Sequence, residues 1–82
     1  MADAAFELVP LANLLAGQSG VIGAVLGAPE QVHRLHEIGL RDGSNIEMIQ
    51  PGRACIVRLL GHTLCFRADE LVSVLVRPGA VY

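Results

Sequence analysis

The sequence contains no lysine and no tryptophan, and charged side chains make up only 17% of its 82 residues. The missing lysine excludes a Walker A phosphate loop, a Schiff base and a lysine general base. The three aromatic residues, Phe6, Phe66 and Tyr82, are too few for a platform on which nucleic-acid bases stack. The net charge is −2 and there is no basic run, so we expect no nucleic-acid partner.

A long uninterrupted apolar helix is also missing, although 52% of the residues are apolar. Residues 8–29 carry no charged side chain and have about the length of a bilayer-spanning helix. Pro10, Asn13 and the segment Gln18-Ser19-Gly20 interrupt this stretch, and its centre is better interpreted as a turn. The residues before it are acidic, with no positive charge, unlike a signal peptide. We therefore predict a soluble protein without membrane insertion.

Short stretches of branched or alternating apolar residues predict about five strands, bounded by glycine and proline. These strands cover residues 21–26, 45–49, 54–60, 63–67 and 72–76. The first is predicted to be buried, and Gly23 inside it predicts a bulge or a close backbone approach. With one short helix inserted after the first strand, the pattern favours a mainly β domain, a small partly open barrel. This single domain covers residues 8–82, and residues 1–7 are interpreted as a loose leader.

The predicted helix begins at Pro29, which suits the first helical position. Val32, Leu35 and Ile38 recur every third residue and form the predicted inward stripe. Gly39 is expected to end the helix as a left-handed cap residue.

A β-hairpin is predicted around Gly61-His62, with a type II′ turn because glycine occupies its first central position. This register places Arg58 opposite Cys65. The expected inward face is Cys55, Val57, Leu59, Leu64 and Phe66, and the outward mixed face is Ile56, Arg58, Leu60, Thr63, Cys65 and Arg67. Because Cys55 points inward and Cys65 outward, we predict no bridge between them within the domain. Two free thiols fit a reducing cytoplasm.

Three segments of the chain carry a family-like pattern. They are Leu11-x-x-Leu14-x-x-Gly17 with Gly20-Val21-Ile22; Arg34-Leu35-His36-Glu37-Ile38-Gly39-Leu40 followed by Gly43 and Ile46-Glu47; and Gly61-x-x-Leu64-x-Phe66-Arg67 followed by Asp69-Glu70. Together they resemble the FeoA family, small cytosolic partners of the bacterial ferrous iron transport system. The middle segment is the most specific. The resemblance implies an SH3-like barrel with the helix inserted between its first two strands.

The resemblance also implies a role as an accessory protein of ferrous iron uptake. The expected partner is FeoB, a membrane protein whose cytosolic GTPase domain controls that uptake. The protein would then be cytoplasmic, recruited to the inner membrane through the transporter, and would require no cofactor. No catalytic set is predicted either, because no nucleophile lies near a histidine in the predicted elements. Two alternatives stay open: a metal-responsive module like the C-terminal domain of DtxR-type repressors, and a self-associating, metal-linked adaptor.

Three groups of candidate residues follow. The partner-binding candidates are Arg34, Glu37, Ile56, Arg58, Leu60 and Arg67, and the structural signature is Leu35, Ile38, Gly39, Leu40, Gly43 and Gly61. His33 and His36 lie three residues apart beside Glu37, a spacing that could place two imidazoles near one divalent ion, Fe²⁺ or Zn²⁺. Such a site needs at least three protein ligands.

Overall fold

A computed structural model describes residues 8–79, which form one antiparallel sheet of six strands with a short helix. The strands are β1 (Val9–Pro10), β2 (Ser19–Val25), β3 (Asn45–Gln50), β4 (Ala54–Leu59), β5 (His62–Arg67) and β6 (Val74–Pro78). The helices are α1 (Pro29–Ile38), the single turn α2 (Ala68–Leu71) and a 3₁₀ helix (Leu11–Asn13). The strand order is β1-β6-β2-β3-β4-β5. The predicted mainly β, SH3-like architecture is confirmed, while the predicted leader lies outside the described residues.

Three strands differ from the sequence-based expectation. Strand β2 was predicted over residues 21–26 and instead covers Ser19–Val25. The two-residue β1 was not predicted; it pairs with β6, and Pro10 is tolerated there because β1 is an edge strand. The last strand was predicted over residues 72–76 and instead covers Val74–Pro78. Its start is later because Val72 keeps a helical backbone at the end of α2, with φ −69° and ψ −22°.

The predicted irregularity at Gly23 is confirmed. The pairing of β2 with β6 shifts register between Ile22 and Ala24, which is a bulge. A Cβ atom on Gly23 would lie 2.7 Å from Cδ2 of Leu8, so the side chain of Leu8 uses the space that glycine leaves. The prediction of a wholly buried strand is wrong, since burial alternates along β2 and only one of its faces packs on the core.

Helix α1 begins at Pro29 and ends at Gly39, whose φ of +116° confirms the predicted left-handed cap. Leu35 is buried, but Ile38 is 41% exposed, so the predicted three-residue inward stripe is wrong at its end. The reason is geometric: residues three apart on an α-helix are offset by about 60° in angle. Val32 and Ile38 therefore lie on either side of the buried face that is centred on Leu35.

The core lies on the inner face of the sheet and includes Leu35 of α1, Leu11 of the 3₁₀ helix and Leu71 of α2. Its buried apolar residues are Leu11, Leu14, Ile22, Leu35, Leu40, Ile46, Met48, Cys55, Val57, Leu59, Phe66, Leu71, Val74 and Val76. Within residues 8–79, no polar or charged residue is buried. None of the helices in this range is long and apolar enough to cross a membrane.

The hairpin β4–β5 has the predicted faces but a different turn. Its central residues are Leu60 and Gly61, and Leu59 pairs with His62. The register thus differs from the predicted one by two residues, a shift that leaves each side chain on its face. Cys55 is buried and Cys65 exposed, and both are free, as predicted. Cys65 is nevertheless opposite Ile56, not opposite Arg58.

Candidate docking surface

The tip of the β4–β5 hairpin combines a strained backbone with an exposed apolar side chain. Leu60 has φ +53° and Gly61 has φ +82°, so the turn is type I′ and the predicted type II′ turn is wrong. Leu60 is the one non-glycine residue with positive φ in the described range. Its side chain is 68% exposed. A leucine in the left-handed region costs about 1–2 kcal/mol of stability. Because Leu60 is mostly exposed, burial of its side chain offsets little of that cost.

The C-terminal end of α1 lies against this tip. A Cβ atom on Gly39 would lie 3.2 Å from Cδ2 of Leu59 and 3.4 Å from Cδ1 of Leu60. Leu60 therefore lies against Gly39. The residue before Gly39 is Ile38, whose side chain is partly exposed. We call Ile38 and Leu60 the tip patch. It consists of two exposed apolar side chains from different elements, and Gly39, which carries no side chain, permits Leu60 to approach the end of α1.

A depression of about 300 Å³ adjoins the tip patch on the outer side of the sheet. It is lined by Ser19, Asn45, Ile46, Glu47, Arg58, Leu60 and Gly61. Nη1 of Arg58 donates to Oε1 of Glu47 over 3.2 Å, and the two residues are opposite each other in the β3–β4 register. Both side chains are partly exposed, so the pair adds little stability. The exposed side chain of Leu60 thus lies beside a polar wall, which consists of Ser19, Asn45, Glu47 and Arg58. The opposite charges of Glu47 and Arg58 in this wall are paired.

The partner-binding candidates from the sequence do not all meet in this place. Leu60 and Arg58 border the depression, and Ile56 is half-buried two residues before Arg58 on the same strand face. Arg67 lies at the other end of β5, and a six-residue strand is about 17 Å long. The two candidates on α1 line other depressions: Arg34 beside Glu30 and Gln31, and Glu37 beside the histidines.

The histidine pair lies on α1, where His33 is exposed and His36 is half-buried. Nδ1 of His33 and Oε2 of Glu37 are 3.8 Å apart, and the carbonyl oxygen of His36 accepts a hydrogen bond from Nε of Arg41. Arg41 and Asp42 line the same depression. Across the described residues, no three His, Cys, Asp or Glu side chains are close enough together to hold a metal ion. The structure therefore does not gather His33, His36 and Glu37 into a ligand set, and a guanidinium lies beside them.

Sequence reasoning missed two features of this surface. The left-handed backbone at Leu60 was missed because Asn-Gly or Asp-Gly, not Leu-Gly, is the usual signal of a type I′ turn. The polar wall was missed because Ser19 and Asn45 come from strands that are far apart in sequence. Only the pairing of β2 with β3, which opposes Val21 to Asn45, brings the two residues to one edge.

Comparisons with known proteins agree with this architecture. The FeoA domain profile matches residues 9–78. The solution structure of the FeoA protein from Chlorobium tepidum is 27% identical, with a TM-score of 0.79 over 88% of this chain and 71% of that chain. The zinc-complexed FeoA of Stenotrophomonas maltophilia, described as a prokaryotic SH3 domain protein, is 27% identical, with a TM-score of 0.74 over 83% and 88% of the two chains. No curated protein sequence matches the chain.

A larger protein shares the fold. A manganese-dependent transcriptional repressor aligns with a TM-score of 0.80 at 15% identity, over 87% of this chain and 41% of the repressor. At that identity the likeness concerns the fold alone.

Proposed function

Because the chain belongs to the FeoA domain family, we propose that it is a non-enzymatic accessory protein of ferrous iron transport. Its partner would be the cytosolic part of a FeoB-type membrane GTPase, and it would act in the cytoplasm, at the inner membrane when bound. The Stenotrophomonas maltophilia relative is described as a candidate ferrous iron transport activating factor, which supports this class of function.

The observation that carries the proposal is the tip patch. Leu60 combines a backbone strain of about 1–2 kcal/mol with a side chain that is 68% exposed. A stable isolated domain gains nothing from that combination, and strained residues of this kind cluster where a protein binds or switches. Ile38 extends the apolar surface from a second element. We therefore place the partner contact on Ile38 and Leu60.

Polar and charged residues would form the rim of this contact. Arg58 lines the same depression as Leu60, and its guanidinium is paired with Glu47. Ile56 on β4 and Arg34 and Glu37 on α1, which do not line the depression beside the patch, would make outer contacts. Such an arrangement, an apolar centre with a polar rim, is typical of protein–protein interfaces. Rim residues govern the association rate and its salt dependence more than affinity.

The test is co-purification with the full-length transporter from membranes. We expect Leu60→Asn to weaken the complex roughly 30-fold, the effect of about 2 kcal/mol at an interface hot spot. Ile38→Asn should weaken it less, because Ile38 is the less exposed of the two. Unchanged co-purification of both variants would refute the assignment of the tip patch, and normal ferrous uptake without the gene would refute a required role in transport.

Val72→Asn is the matched control. Val72 is 54% exposed. The next residue, Ser73, lies near the C-terminal end of β2, because its carbonyl oxygen accepts a hydrogen bond from the backbone N–H of Leu26. The depression beside the tip patch lies at the other end of that strand, at Ser19. An apolar-to-polar change at Val72 should therefore leave the complex intact.

The metal-linked alternatives have a separate test. Calorimetric titration with Zn²⁺ or Fe²⁺ compares the native protein with a His33→Ala/His36→Ala variant. Loss of binding in the variant would support a site there, and an unchanged titration would rule it out. Light scattering with and without chelator tests self-association. The repressor-type alternative is tested by the neighbouring genes. A winged-helix gene next to this one would favour a regulatory module, and a gene for a large membrane GTPase would favour the transport role.

A further inference from the structure

The outer strand β5 leaves one edge of the sheet open. The strand order places β1 at one edge of the sheet and β5 at the other. Strand β1 has two residues and includes Pro10, whereas β5 has six residues and no proline. Proline, lysine and a short length are among the features that keep an edge strand from pairing with another chain. Strand β1 has two of these features, and β5 has none of them.

The register of the hairpin determines which backbone groups of β5 face the open edge. The residues that flank its two-residue turn, Leu59 and His62, form a hydrogen-bonded pair, and bonded and non-bonded pairs alternate from there. The backbone N–H and C=O groups of Leu64 therefore point toward β4, and those of Thr63 and Cys65 point away from it. Within residues 8–79, β4 is the one strand that pairs with β5. Thr63 and Cys65 thus present four backbone groups to which no strand is bonded.

The C-terminal end of this edge is already closed. The backbone N–H of Arg67 donates to Oε1 of Glu70 over 2.9 Å. The open part of the edge is therefore residues 63–65, and its middle residue is Leu64. The side chain of Leu64 is half-buried and packs against the core, while Thr63 and Cys65 are exposed.

The open segment is complementary to itself. When two copies of a strand pair antiparallel about a two-fold axis, one residue lies opposite its own copy, because opposed side chains share a face of the sheet. With Leu64 at the axis, Thr63 lies opposite Cys65 of the second copy, and all four open groups of each copy are bonded. The two half-buried leucines then meet. Arg67 lies beside Gly61 of the second copy, so no like charges are opposed.

We propose that a second copy of this chain pairs with β5 at this edge and forms a symmetric dimer with one continuous sheet. Strand β1 is too short to offer a comparable edge for head-to-tail growth, so the assembly closes at two copies. The contact involves three residues of each strand, and the dimer should therefore be weak and reversible. It needs no metal ion and does not rest on docking to a transporter.

Amide hydrogen exchange of the full chain, recorded by NMR over a roughly hundredfold range of protein concentration, tests the pairing. We expect exchange at Thr63 and Cys65 to slow at least about twofold at the highest concentration, the effect of a half-populated dimer. Leu64 is the internal control, since its N–H is bonded to β4 in the single copy. Exchange at Thr63 and Cys65 that does not depend on concentration, or a dependence that a chelator removes, would overturn the proposal.

Two variants at Cys65 separate the backbone contact from the side chain. Cys65→Pro removes the outward N–H and keeps the bonds of its neighbours to β4, because proline is tolerated on an edge strand. It should remove the concentration dependence at Thr63. Cys65→Ala keeps the N–H and should pair like the native protein. Native pairing by Cys65→Pro, or loss of pairing in Cys65→Ala, would contradict a contact made through the backbone.

Cross-linking tests the register, and it decides the matter if Cys65→Pro does not fold. Thr63→Cys places a thiol opposite Cys65 of the second copy, and diamide, which is reduced as it oxidises two thiols to a disulfide, should link the copies. Asp42→Cys adds an equally exposed thiol in the turn before β3 and is the matched control. It should be linked roughly tenfold more slowly, because it lacks a thiol held opposite it. Equal rates for the two variants would refute the pairing.

Discussion

Replacing Leu60 separates the stability of the hairpin turn from its proposed docking role. Leu60→Asn removes the apolar side chain but puts a residue at φ +53° that tolerates the left-handed region. Relief of strain is worth about 1–2 kcal/mol. Leu60 is 68% exposed, so about one third of a burial energy of roughly 2 kcal/mol is lost, about 0.7 kcal/mol. The balance predicts a gain of about 0.5–1 kcal/mol in the free energy of unfolding.

Leu60→Ala provides the comparison, because it loses the same contacts and keeps the strain. It should destabilise the protein by about 0.7 kcal/mol, so the two variants should differ by roughly 1.5 kcal/mol. At about 4–8 °C per kcal/mol for a domain of this size, Leu60→Asn should raise Tm by about 2–8 °C. Both variants should bind the transporter more weakly than the native protein.

Urea unfolding followed by circular dichroism measures the free energies, and thermal melting measures Tm. If Leu60→Asn is destabilised as much as Leu60→Ala, the strain at this position is not real and the main argument for the tip patch fails. If Leu60→Asn is stabilised but still binds the transporter normally, the strain is real and the docking assignment fails. The two readouts therefore test different steps of the reasoning.

Two further predictions concern glycine and cysteine. Gly39→Ala should destabilise the domain by about 1 kcal/mol more than Gly43→Ala in urea unfolding, since both residues have positive φ but a Cβ at Gly39 would crowd the hairpin, whereas Gly43 has open space around it; equal losses would contradict the close approach. A thiol reagent should label Cys65 under native conditions and Cys55 only after unfolding, because Cys55 is buried; native labelling of both would contradict the hairpin faces.

The faces of the hairpin could be predicted from the sequence, whereas its turn could not. Side chains alternate with a period of two along a strand, so apolar residues at positions 55, 57 and 59 define the inner face in either register. The turn depends on whether Gly61 is the first or the second central residue. With leucine before it, Gly61 is expected to be first, as in a type II′ turn, since the alternative places Leu60 in the left-handed region. A rule based on local sequence does not include the contact of Leu60 with Gly39 at the end of α1.

The helix shows the same limit at the level of packing. Its start at Pro29 and its end at Gly39 follow from local backbone chemistry and were predicted correctly. Which side chains it buries depends on the width of the surface below it. The spacing of Val32, Leu35 and Ile38 shows only that they lie near one side of the helix. It does not show whether the buried part of that side is wide enough to include Ile38.

Exposure by itself does not identify a docking site on this protein. Leu15 is as exposed as Leu60, at 68%, and Leu26 and Val72 are also more than half exposed. Single exposed apolar residues are normal on a protein surface. Leu60 differs because its backbone has positive φ, whereas those three residues do not. Asparagine or glycine would be more stable than leucine in that turn. Burial of Leu60 by a partner would offset the cost of the strained backbone, and this is why we propose the docking contact at Leu60 and not at Leu15, Leu26 or Val72.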